Sequence, residues 1–282
     1  MKKGLVLEGG AMRGMFTAGV IDVMMESGID FDGMIGVSAG AAFGCNFKSR
    51  QIGRAIRYNM KYCNDERYCG FKTLLKTGDI YGVDFCYRQI PDELDIFDAE
   101  TYKNNPIEFY VVCTDVITGE AVYHKCGDVA KDDLEWMRAS ASMPLVSRIV
   151  ETGGRKLLDG GIADSIPLKY FESIGYNKNV VVLTQPEGYQ KKKNKALPLM
   201  RIKLCRYPNF LKAVRRRHNM YNDTTEYIKS KEQSGQALVI RPPHPLNVGA
   251  VEHNPERLKE VYDLGRATAL LHINRIKEFL EI

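Results

Sequence analysis

The stretch MIGVSAGA (34–41) joins an apolar run to a row of small residues, with one serine between them. Met34, Ile35 and Val37 read as a buried strand, and AGAAFGCNFK after Ser38 reads as a helix opened by small side chains. A strand, a serine with Gly36 and Gly40 two residues away on either side, and then a helix is the setting of a nucleophile elbow. Such a turn is strained, and its Oγ must stand clear at the helix N-terminus, so the flanking residues Gly36, Val37, Ala39 and Gly40 have to leave it room. A serine that merely caps the helix explains the same letters. The choice depends on whether the rest of the chain supplies a base and an oxyanion site.

Working outward, GLVLEGG (4–10) is a second apolar strand, and the segment between the two carries Met15, Val20, Val23 and Met24 at helical spacing before stopping at Gly28. This is a βαβ unit, whose right-handed crossover sets both strand ends on one edge. Further short runs rich in β-branched residues follow at IEFYVVCTDV (107–116), VVVLTQ (180–185) and ALVIRPP (237–243). Strands alternating with helices imply a three-layer α/β/α fold with a mostly parallel central sheet. Thr118-Gly119 marks a turn into a return strand, and Asn254 and Pro255 mark the start of a last helix.

Residues 50–105 break this pattern with aromatic and mixed polar residues that fit short helices and loops. The expectation is a helical, aromatic insertion over the sheet edge, acting as a lid or as an ordinary helical layer. With no repeat and no low-complexity linker, one domain over 1–282 is the simplest organisation: a motif-bearing core at about 4–168 and a C-terminal α/β extension at about 170–282.

Composition narrows the class. A 282-residue chain that is 44% hydrophobic can bury a sizeable core, which argues against disorder. No apolar run reaches the ~18 residues of a membrane span, and the start MKKGLVLEGG lacks the apolar length of a signal peptide. Seven cysteines without a C-x-x-C pair suggest neither a disulfide framework nor a zinc ribbon, so a cytoplasmic, reducing setting is expected. The net charge of +5 is mild and points to no nucleic-acid partner, although KKKNK (191–195) and AVRRRH (213–218) concentrate it.

EGGAMRG (8–14) lies between the first strand and first helix, where Gly9, Gly10 and Gly14 let backbone N–H groups face a ligand at a helix N-terminus. The same geometry serves a dinucleotide pyrophosphate or a tetrahedral oxyanion. Against the dinucleotide, Ala11 occupies the middle glycine position and the second strand ends without an acidic ribose ligand. Serine also needs a base. His124, His218, His244, His253 and His272 all lack a small-residue loop that would expose them. In KLLDGGIADSIP (156–167), Asp159 follows a short apolar strand, and Gly160 and Gly161 permit close approach. A partly buried carboxylate can take the proton directly; a plain Asp-Gly turn is the alternative.

Taken together, the motifs resemble the patatin-like phospholipase family. GGAMRG is similar to its Gly-rich oxyanion loop, DGMIGVSAGA (32–41) to its elbow, ASASMPLV (139–146) to its alanine/serine-proline segment and DGG (159–161) to its aspartate motif. The resemblance implies a Ser–Asp dyad without histidine, Ser38 as nucleophile and Asp159 as base. It also implies an oxyanion loop of Gly9, Gly10, Ala11, Met12, Arg13 and Gly14, with N–H donors from Gly10, Ala11 and Gly14. Arg13 takes the family's basic position, and Ala11 departs from its third glycine and would be strained at positive φ. The implied reaction is hydrolysis of an acyl ester, with phospholipid or lysophospholipid as substrate and no metal or cofactor.

A catalytically weak lipid-binding or scaffolding protein on the same fold is the rival, followed by a nucleotide binder. A further expectation is peripheral contact with an anionic membrane through 191–217, with Leu204, Tyr207, Phe210 and Leu211 as the apolar contacts; solvated surface is the plainer reading of that stretch.

Overall fold

The computed structural model describes residues 1–127 and 130–282. Its strands are β1 (Lys2–Leu7), β2 (Gly33–Val37), β3 (Glu108–Asp115), β4 (Ala121–Lys125), β5 (Val150–Thr152), β6 (Arg155–Asp159), β7 (Tyr176–Val182) and β8 (Ala237–Ile240). They form one sheet in the order β5-β6-β3-β2-β1-β7-β8, with β4 also paired to β3. β3, β2, β1, β7 and β8 run parallel, while β4, β5 and β6 join antiparallel at one side. The mostly parallel three-layer expectation holds. The hairpin β5–β6, turned by Gly153 and Gly154 at φ 56° and 71°, adds the antiparallel edge.

Both sheet faces are buried, so the parallel strands read as continuous apolar runs instead of alternating ones. Leu5, Leu7, Met34, Phe109, Val111, Val180 and Val182 face one layer of helices. Val6, Ile35, Val37, Val112 and Val181 face the other. The first layer is built on α1 (Gly14–Glu26), α2 (Ala39–Lys48) and the last helix, α10 (Pro255–Leu280). A Cβ on Gly19 would overlap the Tyr262 carbonyl and one on Gly265 the Phe16 carbonyl, so α1 and α10 cross backbone to backbone. As the sequence suggests, Asn254 caps α10, its Oδ1 accepting from the N–H groups of Glu256 (2.8 Å) and Arg257 (3.2 Å). The second layer contains α7 (Leu168–Ser173) and α9 (Pro208–Gln233), which contribute Phe171, Tyr221 and Ile228.

The aromatic segment folds as α3 (Arg54–Tyr62), α4 (Phe71–Thr77), a π-helix (Phe85–Leu94) and α5 (Ala99–Asn104). Tyr62, Tyr68, Cys69, Phe85 and Ile90 give it a small core of its own. It forms one wall of an apolar cavity through Tyr58, Tyr81, Tyr87 and Phe97, and Ala11 and Ser38 line that same cavity. The insertion therefore covers the carboxyl ends of β1 and β2, where a parallel sheet presents its site.

The basic stretch departs from expectation. Leu204 and Phe210 are buried, and Tyr207 and Leu211 pack beside them against Val116, Leu158 and Ile162. These four fill a core and do not face outward as membrane contacts. Among the described residues, no helix is long and apolar enough to cross a membrane. All seven cysteines are free thiols.

Candidate functional site

β2 ends at Val37, and the chain turns through Ser38 at φ 54°, ψ −119°, before α2 begins at Ala39. A non-glycine residue at positive φ costs energy that its surroundings must offset. The surroundings do so by close packing. A Cβ on Gly36 would lie 2.6 Å from the Gly40 carbonyl oxygen, and one on Gly40 would lie 2.5 Å from that of Leu7. The two glycines of the motif are thus required by backbone-to-backbone approach at the turn. The N–H of Ser38 donates to Ser140 Oγ at 2.7 Å, and that hydroxyl donates to the Val112 carbonyl at 2.6 Å. α6 (Ala130–Ala141) thereby anchors the turn to β3.

Ser38 occupies the cap position of α2, yet its side chain makes no capping bond. Its Oγ instead donates to Asp159 Oδ2 at 2.9 Å, across 121 residues of sequence. Asp159 is the last residue of β6 and opens a 3-10 turn at Gly160–Ile162. Its Oδ1 accepts the Gly161 N–H at 2.7 Å, its own N–H donates to the Ser142 carbonyl at 2.8 Å, and its carbonyl accepts Thr114 Oγ1 at 2.8 Å. A Cβ on Gly160 would overlap the Val112 carbonyl, which explains the first glycine of the motif. Both Ser38 and Asp159 are buried. Burial raises the Asp159 carboxyl above its usual range, against the Arg217 charge, the Ser38 and Gly161 hydrogen bonds and the Lys191 charge, which all pull it down.

The Gly-rich loop lies directly against this pair. A Cβ on Gly9 would meet the Val37 carbonyl at 2.9 Å and Ser38 Cβ at 3.1 Å, and one on Gly14 would meet Ala39 Cβ at 2.8 Å. Ala11 to Arg13 form a 3-10 turn closed by the Arg13 N–H to the Gly10 carbonyl at 3.1 Å. The Gly14 N–H points back to the Ala11 and Met12 carbonyls. This corrects the donor set: Gly14 belongs to the loop, but its N–H is engaged in the turn. Gly10, Ala11 and Met12 precede the turn's first internal bond, so their N–H groups are not used within the turn. Ala11 sits at φ 48°, the strained conformation that its replacement of glycine implies.

Four further residues converge here, two of them, Lys191 and Arg217, from the stretch that the sequence reading gave to membrane contact or solvated surface. Ser140 holds the turn as described. Glu8 is buried, its Oε2 accepting the Thr184 N–H at 2.6 Å and its Oε1 the Tyr221 hydroxyl at 2.7 Å, so the start of the loop is tied to β7 and α9. Burial raises its carboxyl too. Lys191 and Arg217 come from the basic runs. Phe210, Val214, Tyr221, Thr224 and Ile228 are the buried stripe of α9, and Arg217 falls on it, three residues after Val214 and four before Tyr221. Helical phase was the available signal.

Elsewhere among the described residues, His124, Cys126 and Asp133 bring donor atoms within 4.8 Å of one another. Asp133 there already accepts the Gly127 N–H and the Tyr102 hydroxyl, each at 3.1 Å.

Fold and site together set an aspartate, not a histidine, against a serine at the strand ends of a mostly parallel α/β sheet. The chain belongs to the patatin-like phospholipase family, whose model matches residues 5–172, more than half of the sequence. A second model, described as a domain of unknown function (DUF6363), matches residues 207–281. Over 274 residues the chain is 28% identical to the uncharacterized protein YjjU of Escherichia coli, covering 93% of this chain and 74% of YjjU. It is 29% identical over 177 residues to lysophospholipase nte1 of Emericella nidulans, covering 61% of this chain and 11% of that protein. Among solved structures, VipD from Legionella pneumophila is a remote likeness, at 14% identity and a TM-score of 0.48 over 97% of this chain and 67% of that one.

Proposed function

We propose that the protein hydrolyses an acyl ester of the phospholipid or lysophospholipid class by a Ser38–Asp159 dyad, working as one domain over 1–282. The observation that carries this reading is the hydrogen bond from Ser38 Oγ to Asp159 Oδ2, 2.9 Å, made by a serine held at positive φ at a helix N-terminus. Asp159 takes the hydroxyl proton as Ser38 Oγ bonds to the ester carbonyl carbon. Negative charge gathers on the carbonyl oxygen, where the N–H groups of Gly10, Ala11 and Met12 stabilise it. Collapse of this intermediate breaks the C–O bond, and the alcohol leaves with the proton from Asp159. Water, deprotonated by Asp159, then attacks the acyl-serine and releases the acid and free Ser38. The apolar cavity that reaches Ser38 from Tyr58, Tyr87 and Phe97 takes the acyl chain.

The raised Asp159 carboxyl supports this role, because a stronger base removes the serine proton more readily. Labelling with an alkyl fluorophosphonate followed by peptide mass mapping tests the reading. Modification is expected at Ser38 and absent from Asp159→Asn; a folded wild-type protein that takes no label would leave the lipid-binding rival as the better account.

For an anionic membrane surface, the contact we propose is α8 (Leu197–Lys203), which exposes Leu199 at 57% and Ile202 at 76% beside Arg201 and Lys203. Sedimentation with anionic vesicles should fall in the Ile202→Glu variant and at high salt; sedimentation indifferent to lipid charge would remove the surface from consideration.

A further inference from the structure

Three cations gather around Glu8 and Asp159 without an ion pair to either, Arg217 and Lys191 acting on Asp159 and Arg13 and Lys191 on Glu8. Lys191, Arg217 and Arg13 are each half-buried, and among the described residues none of them lies within ion-pair distance of a carboxylate. Nε of Arg13, Nε of Arg217 and Nδ1 of His218 are buried with no hydrogen-bond partner. A buried, unpaired polar group is costly, so three in one neighbourhood call for an explanation. The two carboxyls nearby, Glu8 and Asp159, are raised by burial and lowered in part by these same charges, Arg13 and Lys191 acting on Glu8 and Arg217 and Lys191 on Asp159.

The cluster is built, not left to flexible side chains. Lys191 is fixed to α9 through its N–H to Asn222 Oδ1 at 2.8 Å and its carbonyl from Asn222 Nδ2 at 3.2 Å. Its ammonium lies 4.4 Å from the centre of the Tyr221 ring, and the Tyr221 hydroxyl is held by Glu8. Burial and the neighbouring Arg217 charge lower Lys191 to about 8, so the site strains against its own positive charge. Arg217 reaches the base motif: a Cβ on Gly161 would lie 3.0 Å from Arg217 Nη2 and 3.0 Å from Asp159 Oδ1. Lys191, Arg217 and His218 also line one surface cavity.

We propose that Lys191, Arg217 and Arg13 form an anion subsite beside the dyad that takes a terminal phosphoryl group, so the favoured substrate is an acyl ester bearing a phosphomonoester. This deepens the hydrolase reading and rests on it. A phosphomonoester carries up to two negative charges and three terminal acceptor oxygens, which match the unpaired guanidinium and ammonium donors. A zwitterionic headgroup would bring its own cation into a cationic site, and a neutral glyceride would leave the cations unpaired. Two of the three cations lie outside the residues matched by the patatin model, so this selectivity comes from the C-terminal part of the chain.

The test compares kcat/KM for 1-acylglycerol 3-phosphate, 1-acylglycerophosphocholine and 1-monoacylglycerol of one chain length, below their aggregation concentrations. The expected result is a preference of about tenfold or more for the phosphomonoester. Arg217→Gln and Lys191→Met should each reduce that preference, mainly through KM, and Arg217→Lys should retain part of it. Equal rates on the three esters, or a preference that survives both substitutions, would overturn the proposal. Binding of sn-glycerol 3-phosphate and of inorganic phosphate to Ser38→Ala, measured calorimetrically, keeps the subsite testable apart from hydrolysis. Should no ester be hydrolysed, the hydrolase reading fails, while glycerol 3-phosphate binding lost in Arg217→Gln still supports the subsite. No binding of glycerol 3-phosphate, or binding no tighter than that of inorganic phosphate, counts against it.

Discussion

The N–H of Ser38 is bound to the hydroxyl of Ser140 at 2.7 Å, so the turn that carries the proposed nucleophile is held by a side chain on another helix. That hydroxyl also donates to Val112 on the neighbouring strand at 2.6 Å, and both of its bonds are buried. The Ser38 N–H is thereby committed to holding the turn, so the mechanism we propose assigns oxyanion stabilisation to the loop at Gly10 to Met12.

Ser140→Ala should leave the buried Ser38 N–H and Val112 carbonyl without their partner. The expected cost is about 1–3 kcal/mol of stability, read as a lower denaturant midpoint. Hydrolysis should fall about tenfold or more in kcat, with KM less affected, because the turn loses its position and not its hydroxyl. Unchanged kcat in a folded Ser140→Ala protein would show that the turn needs no such support.

The raised carboxyl of Asp159 sets a pH dependence. A base works only when deprotonated, so kcat/KM should rise with pH along a limb that lies above the usual carboxylate range. The Arg217 charge lowers this carboxyl, so Arg217→Gln should move the limb to higher pH. A pH–rate profile on a neutral chromogenic ester measures both; a limb that moves down on substitution would contradict the electrostatic account.

Ala11 at φ 48° carries strain that glycine would not. Ala11→Gly should stabilise the protein by about 1 kcal/mol or be neutral, with activity retained, whereas Ala11→Val should lose both stability and activity. Chemical denaturation and ester turnover on the two variants check this. A destabilised Ala11→Gly would mean that the chain entropy added by glycine exceeds the strain relieved.

Asp22 on α1 places one oxygen, Oδ2, on both the Tyr262 hydroxyl at 2.6 Å and the Gly53 N–H at 2.9 Å. Burial raises its carboxyl from 3.8 to about 6. The folded state therefore holds this proton more tightly than the unfolded chain. The contribution to stability is complete below about pH 4 and is lost as pH rises through about 6. Asp22→Asn keeps the shared acceptor and removes the charge, so it should stabilise the protein at pH 7 by about 1–3 kcal/mol and flatten the pH dependence between 4 and 6. Denaturant midpoints across that range are the measurement, and a less stable Asp22→Asn at pH 7 would refute the assignment.

What was legible in the sequence was what close backbone approach forces into it. Gly36, Gly40 and Gly160 face carbonyl oxygens across strand ends, so the motifs that carry the elbow and the aspartate could be read as letters. The parallel strands were legible because burial on both faces makes them uniformly apolar. The basic runs were not, because composition treats three adjacent arginines alike. Only helical phase separates the exposed Arg215 and Arg216 from Arg217, which turns inward beside Asp159. Leu204 and Phe210 were misplaced for the same reason: apolar residues among charges look like a membrane face until the helices are packed, and here they fill a core with Leu158. Ser140 stood in the ASASMPLV segment but its role was not legible there, since it depends on a contact 102 residues away.

The central claim is that Ser38 and Asp159 act as a pair, and hydrolysis of a short-chain chromogenic ester by wild type, Ser38→Ala and Asp159→Asn tests it most directly. Loss of about a thousandfold in either variant, and no further loss in the double variant, is the result expected of two residues acting as one unit. Undiminished hydrolysis by a folded Ser38→Ala protein would contradict the account.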